Sequence, residues 1–139
     1  MDHFNEKRIK RNDEWMANVL IPLTETLGNI EEIEKSAQHL SRIEFFQNKD
    51  GHTELIQGSL IRMSERLADV KEADPKLLEK YDYIPWDKYI KIGKWIVMGR
   101  WPLIYQKAWK LATEGIVDIK NIILELLESE NPEPDLRFF

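Results

Sequence analysis

An all-α, up-and-down bundle of about five helices is the fold this sequence predicts, and three observations predict it. Apolar residues step by three and four along most of the chain, with almost no strand-like alternation. Prolines and turn-forming runs divide that pattern at helical lengths. The connectors between segments are mostly short, which makes sequence neighbours antiparallel neighbours in space. The 139 residues are 42% apolar and 32% charged, the balance of a folded chain with one core. A single bundle domain is expected over residues 1–130, followed by a tail at 131–139.

A first helix is expected from near Asn5 to about Leu20, with Pro22 kinking or ending it before Gly28. Asn29 is placed to cap a second helix, Ile30 to about Gln47, on the stripe Ile30, Ile33, Ala37, Leu40 and Ile43. The acidic run Glu31-Glu32-x-Glu34 then fits the start of that helix through the macrodipole. Asn48-Lys49-Asp50-Gly51 is a stop and turn. Thr53 opens a third helix with Ile56, Leu60, Met63, Leu67 and Val70 on one face. Asp74-Pro75 breaks it, and Pro75 suits the first position of a short helix through Leu78. After a connector from Tyr81 to Trp86, a fourth helix starts near Asp87 and reaches about Met98. Gly99 and Pro102 mark the next break. A last helix or helix pair runs from Leu103 to about Glu128, with Gly115 placed to kink it. The prolines at 132 and 134 forbid further helix, and Leu136-Arg137-Phe138-Phe139 reads either as a frayed terminus or as an apolar tip docked on the body.

Several function classes fall away. With no cysteine there is no disulfide, thiolate nucleophile or Cys-containing zinc site. The three histidines, His3, His39 and His52, are far apart and lack metal-ligand spacing, so no metal and no cofactor is expected. None of the six glycines belongs to a phosphate-binding loop. No apolar run approaches the roughly 18 residues of a membrane span, and no apolar segment follows the charged start, so a cytoplasmic protein without a membrane partner is expected. The net charge of −5 opposes a surface given wholly to nucleic acid but permits a local basic patch.

The most specific pattern lies between Leu55 and Glu128. The string Ile61-Arg62-Met63-Ser64-Glu65-Arg66-Leu67 sits on a helix some twenty residues before Ile84-Pro85-Trp86, and a second tryptophan, Trp109, follows at a distance. This layout resembles the HepT-like branch of the HEPN superfamily, helical ribonucleases associated with toxin–antitoxin pairs. There an Ile-Gly-Glu-Ala string precedes an Ile-Pro-Trp turn, a helix with Arg-Asn-x-x-x-His-x-Tyr, and a Val-Trp. The family's histidine falls twelve residues after the first tryptophan, and the second tryptophan comes eleven later. Here those positions are Met98 and Trp109, so the register holds without a gap. The likeness covers about half of the chain; residues before Leu55 match only as helices of suitable length.

The resemblance implies a dimer cleft in which arginine offsets phosphate charge and histidine moves protons as the 2′-hydroxyl attacks, with no metal. In this register the arginine position is Gly93, the asparagine Lys94, the histidine Met98 and the tyrosine Arg100. Gly93 carries no charge, Met98 no proton, and Arg100 lacks the hydroxyl that can accept adenylyl groups in relatives paired with a nucleotidyltransferase. A slipped register does not restore the chemistry, because no histidine follows His52.

What the same helix does carry is positive charge and aromatic surface. Lys88, Lys91 and Lys94 step by three, and Arg100, Lys107 and Lys110 follow. From Trp86 to Lys110, five lysines and one arginine face one aspartate, a local excess of +5 that leaves −10 for the rest. Tyr89, Trp95, Trp101 and Tyr105 are interleaved. Basic residues with aromatics suit phosphate and base contact; the same lysines also read as a solvated face, and Trp86 and Trp109 as core anchors. Trp95 and Trp101 are placed either to fill the family cleft or to form an interface. Glu65 is positioned to meet a cation such as Lys94, or its neighbours Arg62 and Arg66. Lys7, Arg8, Lys10 and Arg11 read as a solvated face or an acidic-partner contact, and His39 as a packed or surface histidine.

The expected function is a catalytically inactive HepT-like protein that binds: a regulatory, scaffold or antitoxin-like partner, as a homodimer or with another chain. Lys88, Lys91, Lys94 and Arg100 are its candidate RNA or phosphate contacts. Two alternatives stand beside it. One is a ribonuclease with a non-standard or partner-completed site, which would need His39 or His52 near the basic helix. The other is an unrelated helical interaction module.

Overall fold

The computed structural model describes residues 13–48 and 51–130, and outside the connectors these are helical. The features expected before Asp13, at Lys49-Asp50 and from Asn131 onward lie outside the described residues. A π-helical turn, Met16–Leu20, runs directly into α1 (Ile21–Ala37). Then come α2 (Arg42–Gln47), α3 (His52–Ala73) and α4 (Pro75–Glu79). After the connector follow α5 (Trp86–Val97) and α6 (Trp101–Lys110), then a second π turn (Leu111–Gly115) that leads into α7 (Ile116–Glu130).

Of the two effects expected of Pro22, a kink or an end, the end does not occur: the helix continues through it. Pro22 lies inside a helical run that is continuous from Asp13 to Ala37, two positions after the π turn. The wider π turn just before it takes up the distortion that proline imposes on the preceding residues. The hydroxyls of Thr24 and Thr26 donate to the carbonyls of Leu20 and Pro22 at 2.9 and 2.8 Å. Asn29 is therefore a buried interior residue of α1 and not a cap. The break falls later, at Gln38–Ser41. Ser41 is extended, its hydroxyl accepts from the Glu44 backbone N–H, and the Glu44 carboxylate accepts from the Ser41 N–H. That reciprocal capping box restarts the helix in a new phase. Phe45 is consequently fully buried, while the expected core residue Ile43 is exposed.

Helix α3 is the hub. Its expected stripe, Ile56, Leu60, Met63, Leu67 and Val70, is entirely inaccessible to solvent. Its most extensive packing is against α1, then α5. Direction follows from the cross-links: Glu25 pairs with Arg66 and Glu32 with Arg62, so numbers rise on α1 as they fall on α3. The same holds for Asp87 with Lys71 and Gly93 beside Ile61. Both pairs are antiparallel, as an up-and-down bundle requires. Helix α7 closes the core with Ile119, Ile122 and Ile123, and its Lys120 reaches Glu34 of α1 at 3.0 Å. No helix among the described residues is long and apolar enough to cross a membrane.

Prolines and glycines hold the remaining corners. Pro75 and Pro102 sit in the first turns of α4 and α6; Asp74 caps α4 by accepting from the Leu77 N–H. Asn48 and Gly51, at φ 53° and 75°, turn the chain between α2 and α3, and Gly99 at 74° ends α5.

Candidate functional site

Helix α5 carries most of the residues singled out from the sequence, and its position is fixed at its start and along its length. At its start Trp86 is buried, and its indole N–H donates to the carbonyls of Leu78 and Tyr81 at 3.0 and 3.1 Å. The tryptophan of the Ile-Pro-Trp turn thus bolts the connector to α5. Along the helix Asp87 pairs with Lys71 of α3; this hydrogen bond, the ammonium charge and that of Lys91 hold the Asp87 carboxyl below the usual range. Tyr89 lies against the second π turn, where its hydroxyl would be 2.8 Å from a Cβ at Gly115. Burial, then Asp118 and Glu114, push that hydroxyl's pKa up. Gly115 thus closes the π turn and admits the tyrosine.

The crossing of α5 on α3 is set by Gly93 and Ser64. A Cβ built on Gly93 would stand 2.5 Å from the Ser64 Cβ and 2.6 Å from its Oγ, so no side chain fits there. The Ser64 hydroxyl donates to the Tyr89 carbonyl across the same contact at 3.0 Å. The register position that holds arginine in the resembled family is therefore a buried helix contact. Met98, at the histidine position, is 61% exposed just past the end of α5.

The three-residue lysine stripe divides between two faces. Each step of three turns the helix back by about 60°, so Lys88 and Lys94 point well apart. Lys94 borders a hollow of about 450 Å³ between α3 and α5, lined by Ile61, Ala68, Ile90, Val97 and Met98, with Glu65 at its edge. Neither Lys94 nor Glu65 makes an ion pair with a described residue; the neighbours Arg62 and Arg66 are engaged by Glu32 and Glu25. Val97 is 68% exposed, so apolar surface here faces outward.

Lys88 and Lys91 instead border a larger groove of about 810 Å³, with Ile84, Trp86, Ile92 and Ile104 in its lining. Lys107 of α6 joins them, while Glu79 and Asp82 come from α4 and the connector. Lys88, Lys91 and Lys107 form no ion pair with a described residue. Trp95 lines this groove with 37% of its surface exposed, and the Arg100 guanidinium stands 5.8 Å from its ring centroid. Lys107 and this face of Trp95 were not separable from the rest of the basic segment in the sequence, because α6 meets α5 only through tertiary packing.

The other candidates are structural. Trp101 packs edge-on against Phe45 of α2, centroids 5.0 Å apart, and its indole reaches the Phe46 carbonyl. Trp109 tilts onto the same Phe45 at 5.1 Å. Both fasten α6 to α2. The acidic run at 31–34 lies inside α1, not at a helix start: Glu32 accepts from Ser59 and Arg62, which together hold its carboxyl below the usual range, and Glu34 binds Lys120. His39 and His52 do come together, ring centroids 5.6 Å apart, with the His52 Nδ1 buried and without a partner among the described residues. Yet His52 is twelve positions along α3 from Ser64, about 18 Å of helix from the Gly93 crossing. No cluster of three or more metal-binding side chains occurs among the described residues.

No family model and no solved structure matches the chain. Over 112 residues, 80% of its length, it is 25% identical to a protein of Methanocaldococcus jannaschii named gamma-glutamylcyclotransferase and putative RNase MJ0434. The chain spans 48% of that protein's length.

Proposed function

We propose that this protein is a HepT-like HEPN bundle without ribonuclease chemistry, working by binding as a regulatory, scaffold or antitoxin-like partner in a toxin–antitoxin or phage-defence setting. The observation that carries the reading is the seat of Gly93 on Ser64. The family mechanism places a cation at that position, and here the neighbouring helix fills the space a side chain needs. Met98 at the histidine position adds to it, since a thioether neither takes nor gives a proton. The longer relative, of whose length the chain spans 48% and which is named in part a putative RNase, supports RNA as the chemistry from which the fold departs.

The hollow between α3 and α5 supports pairing with a second copy. Glu65 and Lys94 lie in the same hollow without an ion pair, and Val97 and Met98 beside them are exposed, so a two-fold pairing over this hollow would offer Glu65 of each copy to Lys94 of the other and cover both apolar side chains. The test is direct. Purified protein incubated with labelled RNA, with and without EDTA, leaves the RNA intact, and sedimentation gives the mass of a dimer. Cleavage abolished by His39→Ala or His52→Ala would overturn the reading in favour of a ribonuclease built on the histidine pair.

A further inference from the structure

The groove on the other side of α5 is lined by none of the register positions Gly93, Lys94, Met98 and Arg100, and of these only Arg100 stands beside it, over Trp95. Its volume of about 810 Å³ lies within the roughly 300–1,000 Å³ of small-molecule sites. Its lining combines three kinds of group. Ile84, Ile92 and Ile104 make an apolar floor; Lys88, Lys91 and Lys107 bring three ammonium groups from two helices that form no ion pair with a described residue, beside the paired Lys71 and Asp87; Trp95 offers a partly exposed indole. An apolar ligand has no use for the lysines, and inorganic phosphate has no use for the tryptophan. The ligand that uses both has a flat aromatic part and an anionic part.

We infer that this groove binds a nucleotide unit, either free or as part of single-stranded RNA, with the base on Trp95 and the phosphate among Lys91, Lys107 and Lys88. Arg100 stands over the indole and supplies a fourth cation next to the stacking surface. Glu79 and Asp82, also in the lining, are acceptors for ribose hydroxyls or an exocyclic amine, and they oppose a plain polyanion. The inference rests on the reading that the protein acts by binding, and it assigns the ligand to a face separate from the proposed pairing hollow.

The experiment is a fluorescence-anisotropy titration of the full chain with a labelled single-stranded RNA oligonucleotide at several salt concentrations. AMP and inorganic phosphate serve as competitors. Binding is expected at low salt, and Trp95→Ala weakens it by about tenfold or more, as loss of one base stack does. Trp95→Phe retains most of the affinity, which separates stacking from a folding defect. The Lys91→Ala, Lys107→Ala double variant lowers the slope of log K against log salt by about 1.4, at about 0.7 per phosphate contact. Lys120→Ala, a charge removed from α7, leaves affinity and slope unchanged. Displacement by AMP shows that a free nucleotide suffices; displacement only by RNA assigns the site to a strand. Absence of binding at low salt overturns the inference, as does displacement by phosphate equal to that by AMP, or a Lys120→Ala effect as large per charge as that of the groove lysines. Cleavage and dimer mass are read from the same preparations, so failure of the groove and failure of the wider reading are told apart.

Discussion

One absent Cβ governs how closely α5 approaches α3. An ideal Cβ on Gly93 would meet the Ser64 Cβ at 2.5 Å, and a Cβ cannot rotate away as a side-chain tip can. Gly93→Ala should therefore destabilise the fold by about 1–3 kcal/mol despite the better helix propensity of alanine. Urea denaturation measures it as a drop in midpoint. Ser64→Ala cannot relieve the clash, since it keeps the Cβ, whereas Ser64→Gly removes it. In a double-mutant cycle, Gly93→Ala should cost less in the Ser64→Gly background; equal costs in both would show that the crossing is not the cause. The α1–α3 ion pair gives a pH prediction. Glu32 has its folded pKa lowered by Ser59 and Arg62, so its contribution is full at neutral pH and is lost as pH falls through and below the usual carboxylate range. Both partners are largely exposed, so the effect is a few tenths to about 1 kcal/mol. Wild type minus Glu32→Gln stability, followed from pH 7 to about pH 3, should shrink toward zero.

Helix boundaries depend on which local signal prevails. An apolar stripe through Leu40 and Ile43 reads as one helix to Gln47, but Ser41 and Glu44 form a capping box across that stretch. Two hydrogen bonds that satisfy orphan N–H groups outweigh the burial of one isoleucine, especially when the new phase buries Phe45 instead. Ser41→Ala should cost roughly 0.5–2 kcal/mol. Hydrogen exchange should show the loss first in α2, where Phe45 and Phe46 hold α6 through Trp101, Trp109 and Tyr105. Uniform loss of protection across α3 would contradict that local origin. The long stripe of α3, the stop at Asn48 and Gly51, and the entries at Pro75 and Pro102 were legible because each rests on adjacent residues. The π turns were not: i→i+5 bonding has no residue signature of its own, and Pro22 normally signals a break. The α5 lysines were legible as a stripe only. That Lys94 and Lys88 serve different cavities is decided by what packs on either side of the helix, α3 for one and α4 with α6 for the other.

At the scale of the whole molecule, α5 is a partition with a hollow on one side and a groove on the other, and the proposed partner and ligand do not compete. Val97→Asp with Met98→Glu should return the protein to a monomer by sedimentation, with its stability within about 0.5 kcal/mol because both side chains are exposed. RNA binding in the groove should survive that change. Under the proposed reading, the same partition means that installing one residue of the resembled family does not confer ribonuclease activity. Met98→His places an imidazole at the register position of the proton carrier, on an exposed site that accepts it without strain. Transition-state charge on the phosphate would still lack its cation, because Gly93 has no room for arginine and the proposed pairing gives the Lys94 ammonium to a Glu65 carboxylate. Met98→His should therefore leave labelled RNA uncut in EDTA, at the rate of the unmodified protein, while sedimentation still gives a dimer. Metal-independent cleavage gained from that one substitution would mean that another cation reaches the cleft, and Lys94→Ala in the Met98→His background would then identify it.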